Sequence, residues 1–399
     1  MRNTELATPD YSDFNNLQGE NMKTRNAKLL IILLILSLLR FGPLKIVQAL
    51  PLGTWHQREN MNVARSRHTA TLLPDGTVLV AGGLTGNLGN VVTTPSAEIY
   101  NPNTGTWRLT SSMSAPRSRF TATLLPNGKV LVAGGSNNGF ATTTAELYDF
   151  KTGLWTRTGN MIVPRCFHTA TLLGDGRVLV TGGLSAGDGQ DNFVEKTVEI
   201  YDPSTGTWTL IDKMSNARYG HTATLLPDGT ILVVGGAGPR GDLVYTVRAE
   251  IFDPYSGLWK NAASLTTPRG FHTAVLLNTA DLLVAGGLTL PANSPNRTAT
   301  TELFQSGSSN WISTGSMAVP RSAGAYGGAL LSDGRFFIAG GRTDTAEQYS
   351  PSTGTWELLS NMAVSRSFHT VTLLTNGTIL VSGGENANGF IATAEIYSP

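Results

Sequence analysis

RSRHTATLLPDGTVLVAGG at residues 65–83, followed after a variable stretch by SAEIYNPNTGTW at residues 96–107, is a unit that returns, with small changes, until the end of the chain. Its parts keep one order: an arginine, a run ending Leu-Leu, a polar turn, an apolar run closed by Gly-Gly, a Glu-apolar-aromatic triplet and a tryptophan. Self-similarity at a fixed period is typical of folds built from one repeated supersecondary unit. We therefore expect an array of equivalent units.

Seven units follow one another, and most of their spacing is fixed. Each tryptophan precedes the next repeat arginine by ten residues. The distance from the arginine to the first glycine is 17 residues in six units and 19 in the sixth, whereas the distance from that glycine to the glutamate runs from 7 to 17. Length variation is therefore concentrated in the connection after Gly-Gly. The repeat arginines are Arg65, Arg117, Arg165, Arg218, Arg269, Arg321 and Arg366; the glutamates are Glu98, Glu146, Glu199, Glu250, Glu302, Glu347 and Glu395; the tryptophans are Trp55, Trp107, Trp155, Trp208, Trp259, Trp311 and Trp356.

Each unit contains four segments with the composition of β-strands. In the first unit, residues 68–73 and 77–81 are apolar runs joined by Pro-Asp-Gly, a hairpin-type turn signal. A third strand is expected around residues 97–100. The Asn-Pro-Asn-Thr-Gly turn at residues 101–105 then leads to a fourth strand that carries Trp107.

A period of about 50 residues with this content is typical of kelch repeats, which form four-stranded propeller blades. The chain resembles the kelch family from Trp55 to Pro399, on the recurrence of Gly-Gly, the Glu-apolar-aromatic triplet and tryptophan. The resemblance implies an all-β, seven-bladed β-propeller with loops on two faces and a narrow central channel.

The two ends of the repeat array are complementary. The chain stops at Pro399, one tryptophan strand short of a seventh blade, while Gly53-Thr54-Trp55 is a tryptophan strand without a blade of its own. We expect this N-terminal strand to complete the last blade, which removes an open seam from the ring.

The segment before the propeller has a different composition, so we divide the chain into residues 1–49 and a propeller at 50–399. Residues 1–21 are polar and are expected to be disordered. A basic stretch from Met22 precedes the apolar run 29–39, which is too short to favour a membrane-spanning helix. Val-Gln-Ala at 47–49 offers a cleavage site, so the segment is predicted to be a signal peptide, or otherwise an uncleaved anchor. Either interpretation places the propeller outside the cytoplasm, as a secreted or membrane-anchored protein.

Charge and cysteine content narrow the classes of partner. The formal net charge is +1 and no long basic run follows residue 45, so nucleic-acid binding is not expected. The sole cysteine, Cys166, cannot form an internal disulfide, and a propeller of this size does not need one. We expect a monomer.

The repeated polar residues have a structural interpretation, because a catalytic group is needed once and a blade-packing group is needed in every blade. We expect the arginines to form buried ion pairs with the glutamates, and the tryptophans to lie in the core. A further series stands three residues after the repeat arginine and is expected to hydrogen-bond inside each blade, with a metal-binding ring as the alternative. It consists of His68, His168, His221, His272 and His369.

An enzymatic alternative rests on a second resemblance. The third unit, with Arg165-Cys166-Phe167-His168, resembles the propeller of galactose oxidase, a kelch relative that uses copper with tyrosine and histidine ligands. In that family a Tyr-His pair occupies the second and third positions after the repeat arginine, and here the tyrosine is missing each time, although Tyr219 and Tyr326 lie near their arginines. No cofactor is therefore expected. A mutarotase-like propeller remains a further enzymatic option, with its site at the channel mouth.

Binding is the function we favour, because a rigid scaffold with unlike loops on one face is how recognition surfaces are commonly built. The expected role is an exported module that binds a protein or a glycan. The sixth unit, with the shortest loop at residues 342–345, is expected to open a notch at the rim. The amide and carboxylate side chains of the loops can hydrogen-bond sugar hydroxyls, although asparagine and aspartate are also common in turns. The candidate ligand-binding residues are Arg67, Arg119, Phe167, Phe271 and Phe368 beside the mouth, and Asn87, Asn138 and Asp188 in the loops.

Overall fold

The computed structural model describes residues 53–87, 89–186, 193–239, 245–289, 296–322 and 327–399. Within these ranges the regular structure is entirely β, and no helix is long or apolar enough to cross a membrane. The predicted leader at residues 1–49 lies outside the described residues and stays a prediction.

Seven four-stranded antiparallel sheets form the blades, each of which runs from an innermost strand at the channel to an outermost strand at the rim. In that order, blade 1 is Thr69–Leu72, Val78–Ala81, Ala97–Asn101 and Thr106–Thr110; blade 2 is Thr121–Leu124, Val130–Ala133, Ala145–Asp149 and Leu154–Arg157; blade 3 is Thr169–Leu172, Val178–Thr181, Val198–Asp202 and Thr207–Ile211; blade 4 is Thr222–Leu225, Ile231–Val234, Ala249–Asp253 and Leu258–Ala262; blade 5 is Thr273–Leu276, Leu282–Ala285, Thr301–Gln305 and Asn310–Thr314; blade 6 is Gly328–Leu330, Phe336–Ala339, Ala346–Ser350 and Thr355–Leu358; blade 7 is Thr370–Leu373, Ile379–Ser382, Ala394–Ser398 and Thr54–Gln57.

The innermost strands contact one another in sequence from blade 1 to blade 7 and back to blade 1, so the ring is closed. The outermost strand of blade 7 comes from the N-terminal side of the array and pairs in register from Thr54 with Ser398 to Gln57 with Glu395. Trp55 lies 5.1 Å from the ring of Tyr397 and 6.1 Å from that of Phe337 in blade 6. The predicted seven-bladed fold and its N-terminal closing strand are confirmed.

The second strand of every blade is buried along its whole length, because both of its faces pack against other blades. In blade 1, Val78 and Val80 pack toward blade 7, while Leu79 and Ala81 pack toward blade 2. Side chains alternate across a strand, so a continuous apolar run supplies two interfaces at once. The core is therefore a series of layers between blades.

The Gly-Gly pair ends this strand where the backbone of the next blade passes closely. Gly82 has φ 63° and Gly83 has φ 103°. A Cβ atom at Gly82 would lie 2.5 Å from the carbonyl oxygen of Arg117 in the following segment. The pair thus supplies both the left-handed turn and the space for the neighbouring blade.

The predicted buried arginine–glutamate pairs are present in all seven blades. The Nη2–Oε1 distances run from 2.5 to 2.9 Å, and no arginine side chain is accessible to solvent. Arg218 also donates to the carbonyl oxygens of Gly235 and Arg248, at 2.8 and 2.9 Å. Glu250 accepts the backbone N–H groups of Ser215 and Asn216, at 2.7 and 3.2 Å. Each pair therefore ties the segment that enters a blade to that blade's second and third strands.

A buried methionine series adds to the core and was not predicted from the sequence. It stands four residues before the repeat arginine, where blade 5 has Leu265, and its members are buried between blades. The signal is present in the sequence, because all methionines after Met22 belong to the series. Its members are Met61, Met113, Met161, Met214, Met317 and Met362.

The tryptophans differ in part from the core placement that we expected. Only Trp107 and Trp208 are buried, and the other five are half-buried at the outer edge of the ring. Each stacks against the aromatic residue of the adjacent third strand, as Trp107 does on Tyr100 at 4.9 Å. The indole N–H of Trp107 donates to the carbonyl oxygen of Glu59 at 2.9 Å. The tryptophans therefore hold the segments that link consecutive blades against the outer edge, and they do not fill the centre of the ring.

The histidines lie between blades, which corrects the expectation that they bond inside one blade. His272 of blade 5 pairs through Nε2 with the Thr222 hydroxyl of blade 4 at 2.8 Å, and His68, His168 and His221 repeat this contact with the preceding blade. Burial, followed by the nearby Arg269, lowers the pKa of His272 to about 3. These histidines are therefore neutral near pH 7.

Candidate functional site

The mouth of the central channel is formed by the residue two places after each repeat arginine. In six blades this residue has a left-handed backbone, with φ between 51° and 59°, which is an outlier for a bulky side chain. Blade 6 has Ala323 in this place, outside the described residues. The six are Arg67, Arg119, Phe167, Gly220, Phe271 and Phe368.

A belt of backbone hydrogen bonds runs around the mouth through these same residues. The N–H of Arg119 donates to the carbonyl oxygen of Arg67 at 3.2 Å, and the N–H of Phe167 donates to that of Arg119 at 3.2 Å. The series continues through Gly220 to Phe271, and in the other direction Arg67 donates to Phe368 at 3.0 Å. These hydrogen bonds pair backbone N–H and carbonyl groups that would otherwise lack a partner. They also offset the strain of the left-handed backbone at these residues.

The side chains of the belt converge on a small cavity of about 60 Å³. The Arg67 guanidinium carbon lies 4.1 Å from the ring centre of Phe368, and that of Arg119 lies 5.1 Å from the ring centre of Phe167. Phe167 and Phe271 meet edge to face at 5.7 Å. One side of the mouth is therefore aromatic, and two stacked guanidiniums border it. All five side-chain-bearing residues predicted for the mouth are found there.

Below the mouth, a channel of about 330 Å³ follows the innermost strands. Its wall is mostly threonine and alanine, in keeping with the Thr-Ala-Thr pattern that opens these strands. The channel thus presents hydroxyl groups and small apolar surfaces, with the mouth residues at one end.

The three loop residues predicted to bind ligand have different outcomes. Asn138 is bonded across blades: its side-chain oxygen accepts from the Thr93 hydroxyl at 2.6 Å, and its backbone N–H donates to that hydroxyl at 2.8 Å. Asn87 accepts the backbone N–H of Gly89 at 3.1 Å and so supports its own turn. Asp188 lies outside the described residues. The turn interpretation of the two asparagines therefore fits their contacts, while their part in binding stays untested.

The connections after Gly-Gly leave on the face that bears the mouth. They form two-stranded ribbons at Leu84–Asn87 with Asn90–Thr93, Ser136–Asn137 with Phe140–Ala141, Leu288–Thr289 with Asn296–Arg297, and Glu385–Asn386 with Gly389–Phe390. Large apolar side chains are exposed on the connections of blades 1 to 3. These are Val91, Val92, Phe140 and Phe193, with Phe140 exposed to 74 %.

Blade 6 departs from this pattern, as its short connection predicted. A cavity of about 420 Å³ lies where Arg342 of this connection faces the ribbon of blade 7. We call this cavity the notch; it is lined by Arg342, Ser365, Arg366, Ser367, Glu385, Asn386 and Ala387. The notch therefore adjoins the shortest connection on its blade 7 side, and the predicted opening of the rim stays a prediction.

Groups that could hold a metal ion do not converge in the described part of the chain, where no three His, Cys, Asp or Glu side chains form such a cluster. One ring nitrogen, Nε2, of each of four mouth-side histidines pairs with a threonine hydroxyl. Tyr219 stacks at 5.8 Å against Phe271, and Tyr326 lies outside the described residues. The described residues of the mouth therefore offer apolar and cationic contacts.

A closed ring of seven four-stranded blades, with a shaped mouth on one face, defines a β-propeller. The family model for the KLHDC2/KLHL20/DRC7 Kelch-repeats domain matches residues 167–384, and the Kelch motif matches residues 65–114 and 116–162. The chain therefore belongs to the kelch-repeat family. Propellers of this family are typically protein-interaction modules.

The curated relatives match about half of this chain. Kelch-like protein 25 of Xenopus tropicalis is 26% identical over 227 residues, which cover 54% of this chain and 37% of that protein. Kelch-like protein 23 of Homo sapiens is 26% identical over 206 residues, covering 51% and 35%. The matches thus span about a third of the length of these relatives.

Two solved structures show the same fold at low identity. A fungal alcohol oxidase of the AA5 family, in complex with copper, superposes with a TM-score of 0.69 at 20% identity, covering 87% of this chain and 76% of that one. YjhT superposes with a TM-score of 0.55 at 15% identity, covering 85% and 96%. At these identities the likeness concerns the fold.

Proposed function

We propose that the propeller is a protein-binding module that engages its partner through the face bearing the mouth. The observation that carries the proposal is the convergence of Phe167, Phe271 and Phe368 with Arg67 and Arg119 around one cavity. Aromatic and arginine side chains are the residues most enriched at the energetic centres of protein interfaces.

The surroundings of the mouth support the same use. Half-buried aromatic rings at the mouth offer a place for an apolar side chain, and the connections around it carry the exposed Phe140 and Phe193. The cavity of about 60 Å³ fits part of one side chain, so the ribbons would supply most of the contact area. A recessed apolar centre within a wider polar rim is the usual anatomy of a protein interface.

The test compares two aromatic positions on opposite faces, one at the mouth and one away from it. A partner captured with the full chain is titrated against Phe271→Ala at the mouth and against Tyr255→Ala, whose side chain is 92% exposed on a turn at the far end of blade 4. We expect Phe271→Ala to weaken binding by about tenfold or more, in the range of an interface hot spot. Equal affinity of the two variants, with both folded, would refute the role of the mouth.

The alternative is that the same face of the propeller binds a glycan or carries a sugar-processing activity. It is tested by thermal shift with a panel of neutral and acidic sugars. Ligands that bind only the folded state raise its melting temperature. A saturable rise in melting temperature that Phe271→Ala abolishes would therefore identify a glycan, instead of a protein, as the ligand of the mouth.

The proposed export rests on the sequence before the propeller. The basic stretch from Met22, the apolar run 29–39 and Val-Gln-Ala at 47–49 have the order of a secretory signal. N-terminal sequencing of protein recovered outside the cytoplasm should begin at Leu50 if the signal is cleaved. Recovery of the intact chain in the membrane fraction would support an uncleaved anchor, and recovery of the intact chain in the cytosol would refute export.

A further inference from the structure

The central channel below the mouth is a cavity of the size that holds small molecules. Its volume of about 330 Å³ lies within the range of about 300–1,000 Å³ that is usual for ligand pockets. His168 and Thr169 line both the channel and the mouth cavity, so the two spaces adjoin. The proposed protein-binding function places its contacts at the mouth and leaves the channel unused.

The wall of the channel is built from strand edges. The innermost strand of each blade hydrogen-bonds to the second strand on one side only, so its other edge is unpaired. Residues of these innermost strands line the channel. An unpaired edge presents backbone N–H donors and carbonyl acceptors, and such groups need hydrogen-bond partners away from bulk water. The channel therefore suits a molecule that both donates and accepts hydrogen bonds.

Most threonine hydroxyls at the mouth end of the channel already have a partner. Those of Thr121, Thr169, Thr222 and Thr370 each pair with a histidine Nε2 of the next blade. Thr69 of blade 1 differs, because blade 2 has Phe120 in the place of that histidine. Among the described residues, the hydroxyl of Thr69 has no hydrogen-bond partner, and Thr69 lines the channel. Its hydroxyl is therefore available to a ligand.

A second available hydroxyl lies across the ring. Thr224 is the third residue of the innermost strand of blade 4, where it is half-buried and lines the channel. Its hydroxyl, too, bonds to none of the residues that the structure describes. Blades 1 and 4 stand on opposite sides of the seven-bladed ring, and Thr224 is two strand positions further from the mouth than Thr69, or about 6.5 Å along a strand. The two hydroxyls thus mark a diagonal across the channel.

The lining also favours an uncharged ligand. In the described part of the chain, no Asp, Glu, Lys or Arg side chain lines the channel. His168 is neutral near pH 7, because burial first, and then the charge of Arg165, lowers its pKa to about 3. Alanine methyl groups, such as those of Ala122 and Ala170, stand between the threonines. A charged ligand would leave water without a counter-charge, which is costly, whereas a chain of hydroxyl-bearing carbons matches both kinds of surface.

We infer that the channel binds a short, uncharged, linear polyol, with Thr69 and Thr224 as its side-chain ligands and the strand edges as further hydrogen-bond partners. This site goes beyond the proposed protein-binding function and does not depend on it. It is also separate from a glycan at the mouth, because Thr69 and Thr224 do not line the mouth cavity.

The experiment titrates three five-carbon compounds into the full-length chain by calorimetry. Xylitol is the polyol, 1,5-pentanediol lacks its inner hydroxyls, and xylonate adds a carboxylate. We expect saturable binding of xylitol, with the other two compounds weaker by about tenfold or more because each loses hydrogen bonds or brings an unpaired charge. General stabilisation by polyols that are excluded from the protein surface gives no saturable binding heat.

The variants remove one hydroxyl at nearly constant volume. Thr224→Val should weaken xylitol binding about fivefold, the loss expected for one neutral hydrogen bond, and Thr69→Val should do the same. Thr224→Ser keeps the hydroxyl and should bind xylitol nearly as the wild type does. The matched control is Thr123→Val, the third residue of the innermost strand of blade 2, which is half-buried and is not among the channel-lining residues. It should change the affinity by less than about twofold.

Absence of saturable xylitol binding, wild-type affinity in Thr224→Val, or an equal loss in Thr123→Val would each overturn the channel site. Phe271→Ala should leave the affinity for xylitol within about twofold of the wild type, because its side chain lines the mouth cavity and not the channel. A loss in Phe271→Ala equal to that in Thr224→Val would place the polyol at the mouth and so refute the channel assignment. The protein-binding role of the mouth keeps its own test, since there Phe271→Ala is measured against a captured partner.

Discussion

Arg218 Nη2 lies 2.6 Å from Glu250 Oε1, and both side chains are closed to solvent. The guanidinium also bonds two backbone carbonyls, so this pair joins three segments of blade 4. Breaking a buried pair from one side leaves the other charge unpaired.

Arg218→Ala should lower the free energy of unfolding by about 3–5 kcal/mol, because Glu250 would keep its charge without its partner. Urea denaturation followed by tryptophan fluorescence measures the change. The exposed Arg248→Gln serves as the control and should change stability by less than about 0.5 kcal/mol. A near wild-type midpoint for Arg218→Ala would show that the pair does not stabilise the blade.

Removal of residues 50–60 should destabilise the whole propeller, because blade 7 would lose its outer strand and the ring its closure. Trp55→Ala, a milder change, removes the ring contacts with Tyr397 and Phe337 and the N–H donation to Ser360 at 2.7 Å. We expect a loss of about 3 kcal/mol, at the lower end for a large-to-small change because Trp55 is half-buried. Calorimetric melting of both variants is the measurement, and an unchanged melting temperature in the deletion would contradict closure by this strand.

Stability should fall as the pH is lowered from about 7 to 5. His168, His272 and His369 have a pKa lowered to about 3 by burial first and then by a repeat arginine, and that of His68 and His221 is also lowered. Below pH 6.5, the ordinary pKa of histidine, the unfolded chain binds these protons and the folded chain does not. A fall in pH therefore stabilises the unfolded state relative to the folded state.

Each such histidine should lower the free energy of unfolding by about 1 kcal/mol for each pH unit below pH 6.5. The free energy of unfolding by urea, measured at half-unit steps of pH, gives the slope. His272→Gln should make the slope shallower by about one proton, and a double variant with His168→Gln by about two. A slope that these substitutions leave unchanged would assign the acid sensitivity to other groups.

Gly235→Ala should be strongly destabilising, because φ is 62° and a Cβ would lie 2.5 Å from the Arg269 carbonyl oxygen of the next blade. We expect about 1–3 kcal/mol from the backbone conformation, with the clash in addition. Gly307 is the control, since a Cβ there meets nothing within 4 Å. Thermal melting of the two variants compares them, and equal melting temperatures would contradict the close-approach role of Gly-Gly.

Much of the candidate site could be anticipated from position in the repeat. Arg67, Arg119 and Phe167 each stand two residues after a repeat arginine, and equal places in equal blades must lie on one ring. The loop residues followed no such rule. Asn138 and Asn87 carry the composition of a binding loop, yet both make local or cross-blade hydrogen bonds. Composition alone cannot separate a turn residue from a ligand-binding one, because the same side-chain groups serve both.

The sequence by itself determined the seven blades, the closing strand and the buried ion pairs, because repetition at fixed spacing puts each residue type into one recurring environment. Only the tertiary structure decided how the blades meet. The histidines bond to the preceding blade, five tryptophans remain half-buried, and Arg342 faces a notch beside Glu385. The physical reason is that a repeat specifies contacts within its own unit, whereas contacts between units depend on how the ring curves and on connections whose lengths differ.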